Sequence, residues 1–108
     1  MKLKELIKKE FKTAMVEGDA KKETFKTHAV DGYSFTYQND IWYIYYTERK
    51  WVIVHPGTGC LAFEENTQGG AVLKLIKNYY DNRKSFHDAA IDSAVKELTV
   101  AGLYPVNE

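Results

Sequence analysis

The chain has 108 residues, 44% of them hydrophobic and 28% charged, with 15 basic side chains balanced by 15 acidic ones. That length and composition describe one globular domain over residues 1–108 that buries its own core, and they exclude a disordered segment. A formal net charge of zero argues against a general nucleic-acid or anionic-membrane binder, while leaving room for a local basic patch.

The single cysteine, Cys60, excludes an intramolecular disulfide and a Cys-rich metal site, and it suits a reducing compartment. The first residues run straight into alternating charge, without the apolar stretch of a secretory signal. No run of residues is apolar enough to span a membrane. The expected setting is cytoplasmic, with no membrane partner.

Leu3, Leu6, Ile7, Phe11, Ala14 and Met15 recur at steps of three and four between lysines and glutamates. This spacing predicts an amphipathic N-terminal helix, with Gly18-Asp19 as its stop. A first strand is expected over Lys22 to Val30. Asp31-Gly32 carries the signature of a two-residue hairpin turn. Tyr33, Phe35 and Tyr37 then alternate with polar residues, as in a strand with one wet face.

Gln38-Asn39-Asp40 makes the next turn, before a strand from Ile41 to Thr47. Glu48-Arg49-Lys50 connects it to another from Trp51 to Val54. Both strands are apolar on both sides, so both faces need cover: helices on each side, a curled sheet, or a second subunit. His55-Pro56-Gly57-Thr58-Gly59 is a turn, and Cys60 to Phe63 a short fifth strand.

Thr67 or Asn66 caps a following helix whose apolar positions are Val72, Leu75, Ile76, Tyr79 and Tyr80. Ser85 and Asp88 resemble a capping box at the start of a last helix. Its face is Phe86, Ala90, Ala94, Val95, Leu98 and Ala101, and small Ala90 and Ala94 permit close approach. Gly102 is placed to terminate it, with Pro105 preventing continuation. The tail after Leu103 is expected to pack loosely. The fold class is α+β: an antiparallel meander of about five strands, one helix before it and two after it.

Candidate chemistry is sparse. His55 and Cys60 flank one tight turn, and a Cys/His pair within hydrogen-bond reach can make a thiolate nucleophile. The bland reading makes Cys60 a small core hydrophobe. His28, His55, His87 and Cys60 lack the local spacing of metal ligands, so no metal or other cofactor is expected. Gly69-Gly70 opens a helix where free N–H groups can hold an anion, yet dinucleotide and P-loop patterns are absent.

Trp42, Tyr43, Tyr45, Tyr46 and Trp51 form the richest candidate surface. As a sheet platform they can stack bases, helped by eight lysines against five acids in residues 1–26. The α-β-β-β-α order resembles double-stranded-RNA-binding domains. Those carry a lysine cluster where this chain has Gly69-Gly70-Ala71 and a lone Lys74. As a contact surface, the same aromatics suit a protein partner or a homodimer.

Trp51-Val52-Ile53-Val54-His55-Pro56-Gly57-Thr58-Gly59, followed by a short strand and Thr67 before a helix, is similar to small uncharacterised proteins of Gram-positive bacteria and their phages or mobile elements. The likeness covers about twenty residues. It implies an accessory protein of mobile-element type and assigns no activity or functional residue. The expectation is a non-enzymatic interaction protein, with a nucleic-acid module and a Cys/His enzyme as alternatives.

Overall fold

The structure, a computed structural model, describes residues 6–17, 24–81 and 85–107. Its elements are β1 (Ile7–Glu17), β2 (Thr24–Tyr37), β3 (Asp40–Thr47), β4 (Lys50–Val54), β5 (Leu61–Glu65), α1 (Gln68–Leu75), a π-helical turn (Ile76–Asp81) and α2 (Ser85–Val100). The strands form one antiparallel sheet in chain order. The α+β class and the five-stranded meander therefore hold, with helices after the sheet. Among the described residues, no helix is long and apolar enough to cross a membrane.

From Ile7 onward the expected N-terminal helix is a strand, and its first apolar position, Leu3, lies outside the described residues. Ile7 to Glu17 pair with Ser34 to Thr24 along the full length of β1. The three-and-four spacing of Leu6, Ile7, Phe11 and Ala14 coexists with a two-residue period that places Phe11 and Thr13 on one side. Both are buried, while Lys8, Glu10 and Lys12 on the other side are exposed. Short apolar patterns do not separate the two periods. The partner decides here: the Phe11 ring stacks on Tyr43 at 4.7 Å and meets Tyr45 edge-on at 5.8 Å. The Gly18-Asp19 stop of the expected helix lies outside the described residues.

Asp31-Gly32 is not a turn either. Both residues lie inside β2, opposite Glu10 and Lys9. Glycine is needed there for proximity. A Cβ at position 32 would press on the Ile44 carbonyl, lie 2.8 Å from the Tyr45 Cβ and lie 2.9 Å from the Phe11 ring. The tight turns fall instead at Gln38-Asn39 and Glu48-Arg49, where all four residues take positive φ between Tyr37↔Asp40 and Thr47↔Lys50. Positive φ at both central positions is the type I′ pattern, whose twist matches paired strands.

β2 is shared between two neighbours. Residues 24–34 pair with β1, and residues 33–37 pair with β3. The close approach at Gly32 folds the β1–β2 ribbon over one face of β3 and β4. Phe11, Tyr43, Val52 and Val54 form a buried cluster there, flanked by Val30 and Tyr45. The curl closes on the β4–β5 turn: Ala14 N donates to Gly59 O at 2.8 Å.

The tail locks this closure. Lys12 N donates to Asn107 Oδ1 at 2.8 Å. Asn107 Nδ2 donates to the carbonyls of Lys12 and Pro56, and Val106 N donates to Gly57 O. The tail thus packs specifically rather than loosely, and Asn107 pairs with the outer edge of β1 at Lys12.

The other face of the sheet carries Phe35, Trp42, Ile44, Ile53 and Phe63. Ala71, Val72, Leu75 and Ile76 from α1 and the π-helical turn cover them. The middle of β3 and β4, residues 42–44 and 52–54, is therefore dry on both faces within one chain, through a curled sheet on one side and helix on the other, while Ile41 and Tyr46 are exposed. Gly102, with φ of +77°, ends α2 as expected, with Leu103 N bonded to Leu98 O and Gly102 N to Thr99 O.

Candidate functional site

The β4–β5 turn is built around Thr58, which is fully buried. Its backbone N–H points at His55 Nδ1 from 3.3 Å, and its hydroxyl lies 3.1 Å from the same nitrogen. The hydroxyl oxygen also accepts from Cys60 N at 3.2 Å. His55 N donates to Cys60 O, and Gly59 N to His55 O, which fixes the turn from both ends. Gly59 itself has φ of +68° and sits against Ala14, Lys12 and Val106, so a side chain there meets both strain and steric conflict.

This network sets the imidazole tautomer. A backbone N–H aimed at Nδ1 requires that nitrogen to accept, so the neutral ring carries its proton on Nε2. Burial pushes the His55 pKa down, opposed by the negative charge of Asp40, so the ring favours the neutral form. Among the described residues, no buried side-chain nitrogen or oxygen lacks a hydrogen-bond partner.

His55, Thr58 and Cys60 line a cleft of about 380 Å³ between the sheet and α2. Trp42, Phe63 and Tyr79 give it aromatic walls, β5 adds Leu61 and Ala62, and α2 adds Ala90, Ile91 and Ala94. The size and the mostly apolar lining with few polar groups are those of a ligand site. Ala90 and Ala94, read as close-approach positions, instead leave this space open. Among the described residues, no charged side chain is part of the wall.

The aromatic wall is held by a second network. Tyr80 hydroxyl accepts from Trp42 Nε1–H at 2.7 Å and lies 2.9 Å from the Asp40 carboxylate and 3.3 Å from the Tyr37 carbonyl. Burial pushes the Tyr80 phenol well above its ordinary value, with Asp40 adding to the rise and the Trp42 bond opposing it. Tyr79 meets Trp42 edge-on at 5.2 Å and Tyr80 at 5.0 Å. The π-helical turn brings both tyrosines to the sheet side, and such turns recur at functional sites.

The candidate residues of the sequence fare differently. His55 and Cys60 meet at one cleft, but their side chains do not bond each other: His55 Nδ1 is held by Thr58, and Cys60 Sγ faces the Thr58 carbonyl at 3.7 Å. Trp42 and Tyr43 are core residues on opposite faces of the sheet. Tyr45 is half-buried beside Phe11, and Tyr46 is 56% exposed and packs on half-buried Trp51 at 5.3 Å. The five aromatics thus share no common platform. Lys9 rests over the Tyr43 ring, 5.1 Å from its centroid.

At Gly69-Gly70, Thr67 caps α1 and takes the Gly70 N–H at 3.0 Å, which occupies part of the expected anion site. No cluster of metal-ligating side chains occurs among the described residues. The side chains of Ser85, Phe86, His87 and Asp88 lie outside those described. Thr58, Tyr79, Ala90, Ile91 and Ala94 were not singled out as site residues by sequence reasoning. The only available signals were the histidine-to-threonine spacing and the small residues on α2. Comparison of the chain with protein-family models, curated proteins and solved structures finds no match.

Proposed function

We propose that this chain is a non-enzymatic binding protein that takes an apolar group of a partner protein into the cleft between the sheet and α2. One observation carries the reading: the cleft is open and apolar, while its polar side chains are engaged with the turn rather than with each other. His55 is held at Nδ1 by Thr58, and Cys60 Sγ is directed to the Thr58 carbonyl. A thiolate nucleophile needs an adjacent base or an electropositive neighbour. A folded chain with a preformed concave surface and one half-exposed leucine, Leu61, at its rim suits insertion of an anchor side chain.

The test is capture from an extract of the native cell, treated with nuclease, using wild type and Ala94→Trp as baits. The substitution fills the cleft from the α2 side, against the wall formed by Trp42, Phe63 and Tyr79. The expected result is a protein retained by wild type and lost from the variant. Equal retention by both baits, or nucleic acid as the retained species, would overturn the reading.

A further inference from the structure

Residues 104–107 dock where β1 meets the His55–Cys60 turn. The Asn107 side chain pairs with the Lys12 N–H and carbonyl, each at 2.8 Å, and reaches the Pro56 carbonyl at 3.0 Å. Val106 N donates to Gly57 O at 2.8 Å, and the Val106 side chain lies against Gly59. Tyr104 packs beside Gly57. The Gly59 carbonyl in turn accepts from Ala14 N. The turn is thus held sideways by this segment and by β1. Along the chain it is held by a β4–β5 ladder whose register shifts at Ile53 and Val54.

These contacts are of a kind that releases locally. Both bonds to Lys12 are exposed, so water can replace them at little cost, and Tyr104 is exposed as well. The helix before the segment carries its own cap, with Leu103 N bonded to Leu98 O, and keeps its hydrogen bonds when the residues beyond Leu103 leave. The middle of the sheet is the opposite case, with Ile44 and Ile53 fully buried. We infer that residues 104–107 are a strap over the His55–Cys60 turn. Its release frees that turn, and with it the part of the cleft wall that carries His55, Thr58 and Cys60, while the sheet stays folded. The strap acts on the wall whatever the cleft receives, so it stands apart from the proposed partner.

The experiment is native-state hydrogen exchange of the full chain, followed by NMR in increasing but sub-denaturing urea. In wild type the amides of Lys12, Ala14, Gly59, Cys60 and Val106 are expected to exchange through one shared opening. That opening should depend weakly on urea and lie well below the one that exposes Ile44 and Ile53. Asn107→Ala should speed exchange of the group by about fivefold or more, the worth of one net hydrogen bond. Asn78→Ala, which removes an exposed side-chain bond to Lys74 O far from the strap, should leave the group unchanged. Exchange of the five amides together with Ile44 and Ile53, at the same urea dependence, would overturn the inference, and wild type alone decides this if Asn107→Ala fails to fold. Wild-type rates at Gly59 and Cys60 in folded Asn107→Ala, or an equal effect of Asn78→Ala, would overturn it too.

Discussion

His55 belongs at once to the turn that ends β4 and to the wall of the cleft, and its protonation couples the two. Its folded pKa is lowered by burial from an ordinary value near 6.5. The unfolded chain therefore takes up the proton first as pH falls. The stability contributed by the neutral ring is complete above about pH 6.5 and is lost as pH falls through the lower folded value. Protonation also puts a hydrogen on Nδ1, against the Thr58 N–H. Urea unfolding should show a lower midpoint at about pH 5 than at about pH 7.5, and a smaller difference in His55→Gln. A wild-type midpoint that rises on acidification contradicts this account. The nearness of His55 to Cys60 was legible from a five-residue separation across breakers. The residue that claims the imidazole, Thr58, was not, because a side-chain bond across three residues leaves no pattern in hydropathy.

At the scale of elements, glycine has two uses that look alike in sequence. Asp31-Gly32 has the composition of a type I′ turn, but Gly32 serves the crossing of Phe11 and β3 over an unbroken strand. The true turns use Gln38-Asn39 and Glu48-Arg49, three of whose four residues rarely signal positive φ. Gly32→Ala should therefore cost about 1–3 kcal/mol by overpacking, whereas Asp31→Ala should stay within about 0.5 kcal/mol. Chemical denaturation of the two variants checks this. Near-neutral Gly32→Ala, or equal losses at both positions, would restore a hairpin at 31–32. The strands over 41–47 and 51–54 were legible because aromatic and β-branched residues crowd them. β1 was not, since its lysines alternate with apolar residues at steps that fit a helix as well as a strand. Its partner surface, Tyr43 and Tyr45, lies some thirty residues on in the chain.

For the whole molecule, the demand that β3 and β4 be covered on both faces is met for residues 42–44 and 52–54, with a curled sheet among the ways to meet it, and is not met at exposed Ile41 and Tyr46. Tyr43 and Val54 are 3% and 1% exposed in a single chain. Self-association is thus not required to finish their burial, and the argument for a dimer on that ground loses its premise. The closing contacts among Ala14, Gly59, Lys12 and Asn107 tie the first strand to the tail, and the helix beyond the π-helical turn stands off from β5. That stand-off produces the cleft, so the shape of the fold and the place of binding have one origin. Cys60, the sole thiol of the chain, lies in that wall and reports on it directly. The decisive measurement is the rate at which a bulky thiol reagent labels folded Cys60 in wild type and in Ala94→Trp. An open cleft bounded by α2 predicts rapid labelling of wild type and a sharp slowing in the variant. Equal rates in the two proteins would contradict it.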